Sequence, residues 1–337
     1  MRFALDTSRL DFGASIDAML AAADVPGISR ALAAGDVEPT RTLWKSLGDI
    51  GVTGLLIDAE FGGLDAEPLD LVVALERMGK WGVPGPVVES IAAAPALLGW
   101  TNRTGNDGTG QGLTEEWLTG LASGDLVATV AIEPHSPHVL DPHVAGLSLL
   151  VREGAMSTAT VTGTHRSVDP SRTLGIVEPG TAVTGADAAV QEGVREAELR
   201  ATLGCAAQLL GAGRSLLTRT VDYAKVRQQF GRPIGSYQAI KHQLADVMVE
   251  LELAAPLLYN AALSLAAHPD IARRDVSAAK VACGDAAYRA SRTALQVHGA
   301  IGYTAEFDLS LWITKVRALQ SSWGTASVHR RRILEVL

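Results

Sequence analysis

Apolar residues recur at spacings of three and four along most of this chain, the period of helices with one buried face, and alternate with polar residues only in its middle. Leu43, Leu47 and Ile50, with Trp44 beside them, predict one helix; Leu69, Val72, Val73, Leu75, Glu76 and Met78 predict another that ends at Gly79. Residues 1–120 therefore read as helices joined by Gly/Pro turns, with an exposed, mobile loop over the Gly-, Asn- and Thr-rich stretch Thr101–Gly112. Over 121–190, alternation in Val127–Ile132, Leu147–Val151 and Ala159–Thr162 predicts short strands. The helical period returns over 191–337. Leu199, Leu203, Leu210 and Leu217 mark a long helix, and Ile240, Leu244, Val247, Leu251, Ala254 and Leu258 mark its antiparallel partner, kinked at Pro256. Alanines at 278, 279, 282, 286 and 287 let a third helix pack closely, and Leu311, Trp312 and Val316 belong to a fourth. The expected fold is mostly α with a small β-domain: an N-terminal helical domain (1–120), a middle β-domain (121–190) and a C-terminal four-helix bundle (191–337).

With 337 residues the chain can bury a sizeable core, and 47% hydrophobic against 20% charged residues describes a soluble, compact protein. The net charge of −8 and the pI near 5.5 argue against nucleic acid, which would want a basic face. There is neither a basic-apolar leader nor an apolar run of about 18 residues, so the expectation is a cytoplasmic protein without a membrane span. Cys205 and Cys283 fall inside helical patterns and read as small buried thiols. His135, His138 and His143 sit in a Pro-rich loop at spacings that match no ordinary zinc pattern, so no metal is expected. The basic end His329-Arg330-Arg331-Arg332 reads as a solvated helix face.

The most informative stretch joins the first two helices of the C-terminal half. One helix ends near Phe230, Gly231 and Pro233 break it, and Ser236 is placed to cap the next. Arg227 and Phe230 are thus presented at a helix end, a guanidinium beside an aromatic ring. That pair suits a phosphate attached to a flat ring system, because guanidinium binds phosphate through paired donors. On the residues alone, an ordinary helix hairpin with a surface arginine and a core phenylalanine is the commoner outcome.

Arg227-x-x-Phe230-Gly231-x-x-Ile234-x-x-x-Gln238, with the helix after it, resembles the C-terminal helical domain of the flavin-dependent acyl-CoA dehydrogenases. Gln296-Val297-His298-Gly299-Ala300-Ile301-Gly302-Tyr303 resembles that family's Gln-x-x-Gly-Gly-x-Gly-Tyr turn, and Gly51–Leu64 resembles its N-terminal apolar run and acidic-aromatic-Gly-Gly turn. The resemblance implies FAD as cofactor, an acyl-CoA thioester as substrate and an electron-transferring flavoprotein as acceptor. In the family both C-terminal blocks reach across a dimer interface to the neighbour's FAD. That carries a cofactor-binding role to Arg227, Gln229, Phe230, Tyr237, Gln296, Val297, Gly299 and Ala300.

The departures from the pattern are sorted. Family members place a catalytic glutamate directly before a Gly-Thr near the C-terminus; here Trp323 precedes Gly324-Thr325, and an indole accepts no proton at neutral pH. Other members place the base at the position of Ala201, followed by an arginine where this chain has Thr202. Glu198 lies one turn earlier as a displaced candidate, although it and Glu196 read more simply as solvated acids in the first turn of their helix. In the flavin loop of the β-domain, Ile132 stands for the usual threonine before Glu133-Pro134, and His135-Ser136-Pro137-His138 replaces a small-residue turn. The middle domain looks shortened by several strands. Features that serve a neighbour's cofactor are present, and those that serve the chain's own are missing. The implied role is the non-catalytic subunit of a heteromeric (α2β2) acyl-CoA dehydrogenase, resembling shortened subunits of bacterial enzymes that desaturate steroid side-chain CoA esters. A complete homotetrameric enzyme using Glu198 and a flavin-free scaffold are the alternatives.

Overall fold

The structure, a computed structural model, describes residues 5–103, 111–186, 188–304 and 306–336. It opens with helices α1 (Thr7–Ala22), α2 (Val25–Ala33), α3 (Glu38–Asp49), α4 (Pro68–Trp81), α5 (Ala94–Arg103) and α6 (Gln111–Ala122). Asp6 caps α1 by accepting from the Arg9 amide at 2.9 Å, and Glu67 with Asp70 forms a reciprocal capping box on α4. Leu43, Trp44 and Leu47 are buried on α3, as their spacing requires. The expected loop at Thr101–Gly112 is helical at both ends, in α5 and α6; its middle lies outside the described residues.

Helix α4 does not stop at Gly79. It runs two residues further to Trp81 and ends on left-handed Gly82 (φ 71°). Gly79 serves packing instead: a Cβ there would sit 2.2 Å from the Gln208 carbonyl oxygen, and one on Gly211 would collide with the Glu76 carbonyl. Two glycines thus let α4 press against α7 (Ala188–Val226) backbone to backbone. The same contact carries the buried Glu76 carboxylate, which accepts from Arg214 and, at 3.3 Å, from the Tyr259 hydroxyl.

The middle of the chain forms one five-stranded sheet from β1 (Ala128–Ile132), β2 (Val139–Leu140), β3 (Leu147–Arg152), β4 (Ala155–Arg166) and β5 (Thr173–Thr184), in the order β1-β3-β4-β5-β2. Only β1 and β3 run parallel, in the register Ala128↔Leu147. Strand β5 escapes the sequence pattern because Gly175, Pro179 and Gly180 interrupt it; in the ladder Gly175 still pairs with Thr164 and Pro179 with Ala159, and Gly180 falls at a register shift.

The C-terminal half packs α7 against α8 (Gln238–Ala267), α9 (Pro269–His298) and α10 (Leu309–Ser321), with a short α11 (Ala326–Leu334) on α9. Val247, Leu251, Ala254 and Leu258 form the buried stripe of α8, while Ile240 and Leu244 at its start are half-buried. Ala279, Ala286 and Ala287 are buried on α9, and a Cβ on Gly213 would lie 3.2 Å from the Ala287 Cα. Among the described residues only α8 is long and apolar enough to cross a membrane; 44% of its most apolar stretch is buried in the protein, and Met248, Val249 and Leu253 face outward. Both cysteines are buried and free.

Candidate functional site

Helix α7 ends at Val226, four residues before the expected position, because the chain reverses there into a tight hairpin. Gln228–Gln229 pairs antiparallel with Arg232–Pro233, and Phe230 (φ 53°) and Gly231 (φ 79°) both turn left-handed. This is the two-residue turn that matches strand twist, for which glycine is suited and a bulky residue is not. Phe230 nevertheless occupies it and is 93% exposed. The ring is therefore no core residue, unlike the core phenylalanine of the ordinary-hairpin alternative. The Ile234 amide donates to the Arg227 carbonyl at 2.8 Å, the Tyr237 hydroxyl to the Gln229 carbonyl at 3.1 Å, and the Arg232 guanidinium stacks over the Tyr237 ring at 4.1 Å. Arg227 itself is exposed and carries no ion pair among the described residues. Ser236 does not cap α8: its hydroxyl donates back to the Pro233 carbonyl at 2.7 Å, and Tyr237 holds the cap position.

The second block closes α9. Gln296, Gly299 and Ala300 are exposed, whereas Val297 points into the core. Gly299 (φ 65°) ends the helix, a 3-10 turn follows over Gly299–Tyr303, and Tyr303 is 76% exposed. His298 is buried and stacks on Tyr223 at 4.1 Å between ring centroids, with Phe307 packed at 5.5 Å. Its Nδ1 lies 2.8 Å from the Ala294 carbonyl, so Nδ1 carries the proton and Nε2 is left as an acceptor with no partner. Burial pulls its pKa below the usual histidine range and keeps the ring neutral. Tyr223 lies one turn before Arg227, whose amide donates to the Tyr223 carbonyl at 2.9 Å. The Tyr223–His298 stack therefore ties the hairpin of Arg227, Gln229, Phe230 and Tyr237 to the turn of Gln296, Gly299 and Ala300. Tyr223 and Phe307 are missing from the sequence reading, which has His298 only as part of its turn; the i−4 position of Tyr223 relative to Arg227 is the signal that could have found it.

The position before Gly-Thr is the reverse of an active base. Trp323 (φ 56°) and Gly324 (φ 103°) turn the indole inward, where its Nε1 donates to Glu89 Oε1 at 3.0 Å. On its Glu89 side about 10 Å³ remains open, between Val87, Val88, Leu140, Gln208 and Leu319. Burial raises the pKa of Glu89, and the nearby Arg172 guanidinium opposes that rise. His329 reinforces the turn: it is fully buried, with Nε2 2.9 Å from the Trp323 carbonyl and Nδ1 3.2 Å from the Ser277 hydroxyl. The basic end is therefore not wholly solvated. Arg330 pairs with Asp285, and Arg332 turns in to within 3.5 Å of Glu198.

Because α7 starts at Ala188, Glu196 and Glu198 lie in its third turn rather than its first. Glu196 pairs with Arg200 at 2.5 Å, and Glu198 faces a pocket of about 140 Å³ shared with His135, Ser136, Trp323 and Thr325. Its second oxygen lies 3.9 Å from His135 Nδ1. Ala201 and Thr202 are buried. In the flavin loop Ile132 is buried, and Glu133 is held by Arg152 at 2.8 and 2.9 Å. Among the described residues no group of three or more His, Cys, Asp or Glu side chains could hold a metal ion.

Helices before and after a small sheet, a positively charged hairpin beside an aromatic-rich turn, and a Gly-Thr break before the last helix together define the acyl-CoA dehydrogenase class. Residues 11–125 match the acyl-CoA dehydrogenase N-terminal domain and residues 199–337 the C-terminal domain. The chain is 32% identical over 298 residues to acyl-CoA dehydrogenase IpdE2 of Mycolicibacterium smegmatis, with 86% of each chain covered. It belongs to the acyl-CoA dehydrogenase family of flavin-dependent oxidoreductases. A chain of the ChsE4-ChsE5 complex from Mycobacterium tuberculosis shares the fold with a TM-score of 0.82 at 24% identity, covering 99% of this chain and 98% of that one. So does a chain of the Tcur3481-Tcur3483 steroid acyl-CoA dehydrogenase, at 0.80 and 19%, with 98% and 97% covered.

Proposed function

We propose that this chain is the non-catalytic subunit of a cytoplasmic α2β2 acyl-CoA dehydrogenase and completes the FAD site of a catalytic partner. The observation that carries the reading is the contrast between two ends of the bundle. At one, an unpaired arginine, an exposed phenylalanine and a glycine turn are held together by the Tyr223–His298 stack. At the other, the base position holds an indole turned into the core.

Bound FAD would supply the acceptor for the substrate's β hydrogen as hydride. This chain's part is to bind and orient. Arg227 presents its guanidinium donors to the diphosphate, Phe230 and Tyr237 offer ring faces to the adenine end, and the backbone and amide groups of Gln296, Gly299 and Ala300 supply hydrogen bonds. Removal of the α proton falls to a carboxylate of the partner, since Trp323 cannot accept it. The substrate class is a steroid side-chain CoA thioester, in line with the neighbour described as a steroid enzyme, and the electron acceptor would be an electron-transferring flavoprotein.

The test is Arg227→Ala in the co-expressed complex. Loss of one charge-assisted phosphate contact, about 1.5–3 kcal/mol, weakens FAD binding by roughly 10- to 150-fold. Unchanged flavin content would leave a flavin-free scaffold as the role. A second reading, a complete enzyme with Glu198 as base, draws on the placement of that carboxylate beside Trp323 and Thr325. Its mark is desaturation by the isolated chain that Glu198→Gln abolishes; an inactive isolated chain rejects it.

A further inference from the structure

Further along α7 from Glu198, a groove of about 350 Å³ opens between α4 and α7. It is lined by Arg77, Lys80, Trp81, Arg214, Ser215, Thr218 and Arg219: four cations, two hydroxyls and an indole, with no carboxylate. The acids that balance these cations stand behind them. Asp17 accepts from Lys80 at 2.9 Å and lies 3.5 Å from Arg77 Nε, which makes no hydrogen bond. Arg214 is held by Glu76 and, at 3.0 Å, by Glu252. That leaves Arg219. Its guanidinium carbon lies over the Trp312 ring at 3.9 Å, its Nε donates to the Ser215 hydroxyl at 3.3 Å, and no carboxylate reaches it within 4 Å among the described residues. Its nearest acid influence, Asp308, is engaged with Arg30 at 2.5 Å. Three acids thus serve four cations, and the surplus charge is half-buried in a groove large enough for a ligand. Like charges gathered around one opening repel unless an anion enters, and the guanidinium fork of Arg219 already has one ring face fixed.

We propose that this groove is a binding site for a phosphate or diphosphate group, with Arg219 as the principal contact, Arg77 and Lys80 flanking it and the Ser215 and Thr218 hydroxyls donating. The site is separate from the Arg227 hairpin and does not depend on the flavin reading. Its ligand is either the free anion or the diphosphate of a nucleotide, with the Trp81 indole beside it for a base.

Calorimetric titration of the full chain with inorganic diphosphate, ADP and adenosine, at constant ionic strength held with sodium chloride, tests this. Diphosphate is expected to bind and adenosine not to. Equal affinity for ADP identifies a site that reads the anion alone, and tighter ADP a nucleotide site. Arg219→Gln is expected to weaken diphosphate at least tenfold and Arg219→Lys by less. Thr218→Asp, which adds a carboxylate at an exposed position without touching the core, is expected to weaken it at least tenfold as well. No binding above the chloride background, or full affinity in the folded Thr218→Asp chain, overturns the proposal. Flavin content of the Arg227→Ala complex bears only on the other site.

Discussion

Replacing Trp323 with phenylalanine keeps an aromatic ring beside Glu89 and removes the indole N–H together with part of the ring. Two costs follow from the structure. Glu89 Oε1 loses the donor that sits 3.0 Å away in a buried site, worth about 1.5–3 kcal/mol for a charged acceptor. The smaller ring leaves a void beside an already closed space, worth about 1 kcal/mol. With an unfolding entropy of about 0.7 kcal/mol/K for a chain of this length, the sum lowers Tm by about 4 to 6 °C. The effect depends on pH with a definite sign. Burial raises the Glu89 pKa above its unfolded value, so its carboxyl costs stability as pH rises through the interval between them. The indole bond offsets that cost only where Glu89 is ionised, so the loss in Trp323→Phe is larger at pH 8 than at pH 5. Scanning calorimetry of both chains at the two pH values measures it. Equal losses at both, or no loss, would refute a buried carboxylate held by this indole.

Two further outcomes are expected. Arg214→Met strands the buried Glu76 carboxylate and costs about 3 kcal/mol in chemical denaturation, and adding Glu76→Gln recovers most of it, because the penalty lies in the unpaired charge. His329, held neutral by burial with its pKa pushed down to about 4, contributes stability that is full above pH 6.5 and lost as pH falls towards 4. His329→Gln removes that slope, worth on the order of 3 kcal/mol; identical pH profiles for the two proteins would contradict the assignment.

Periodicity along the chain was enough to find the long helices, three of the five strands and the helix–sheet–helix order, since burying one face of an element leaves its period in the residues. The residues themselves also determine that the position before Gly324 offers no base, because tryptophan accepts no proton there wherever it points. Local rules misled where contacts from elsewhere overrode them. Gly79 looks like a helix end and is the place where α7 touches α4; Ser236 looks like a cap and bonds backwards; Gly175 and Pro179 look like breaks and are absorbed by β4. Side-chain direction lay beyond reach altogether. Only the folded chain turned Trp323 onto Glu89, drew Arg332 from the basic end to Glu198, stacked His298 on Tyr223 and left Phe230 in solvent. Each of those joins residues that are far apart in the chain, or depends on a backbone angle that no residue type announces. Which groups share a site is therefore set by packing between elements, while which groups exist to be shared is set residue by residue.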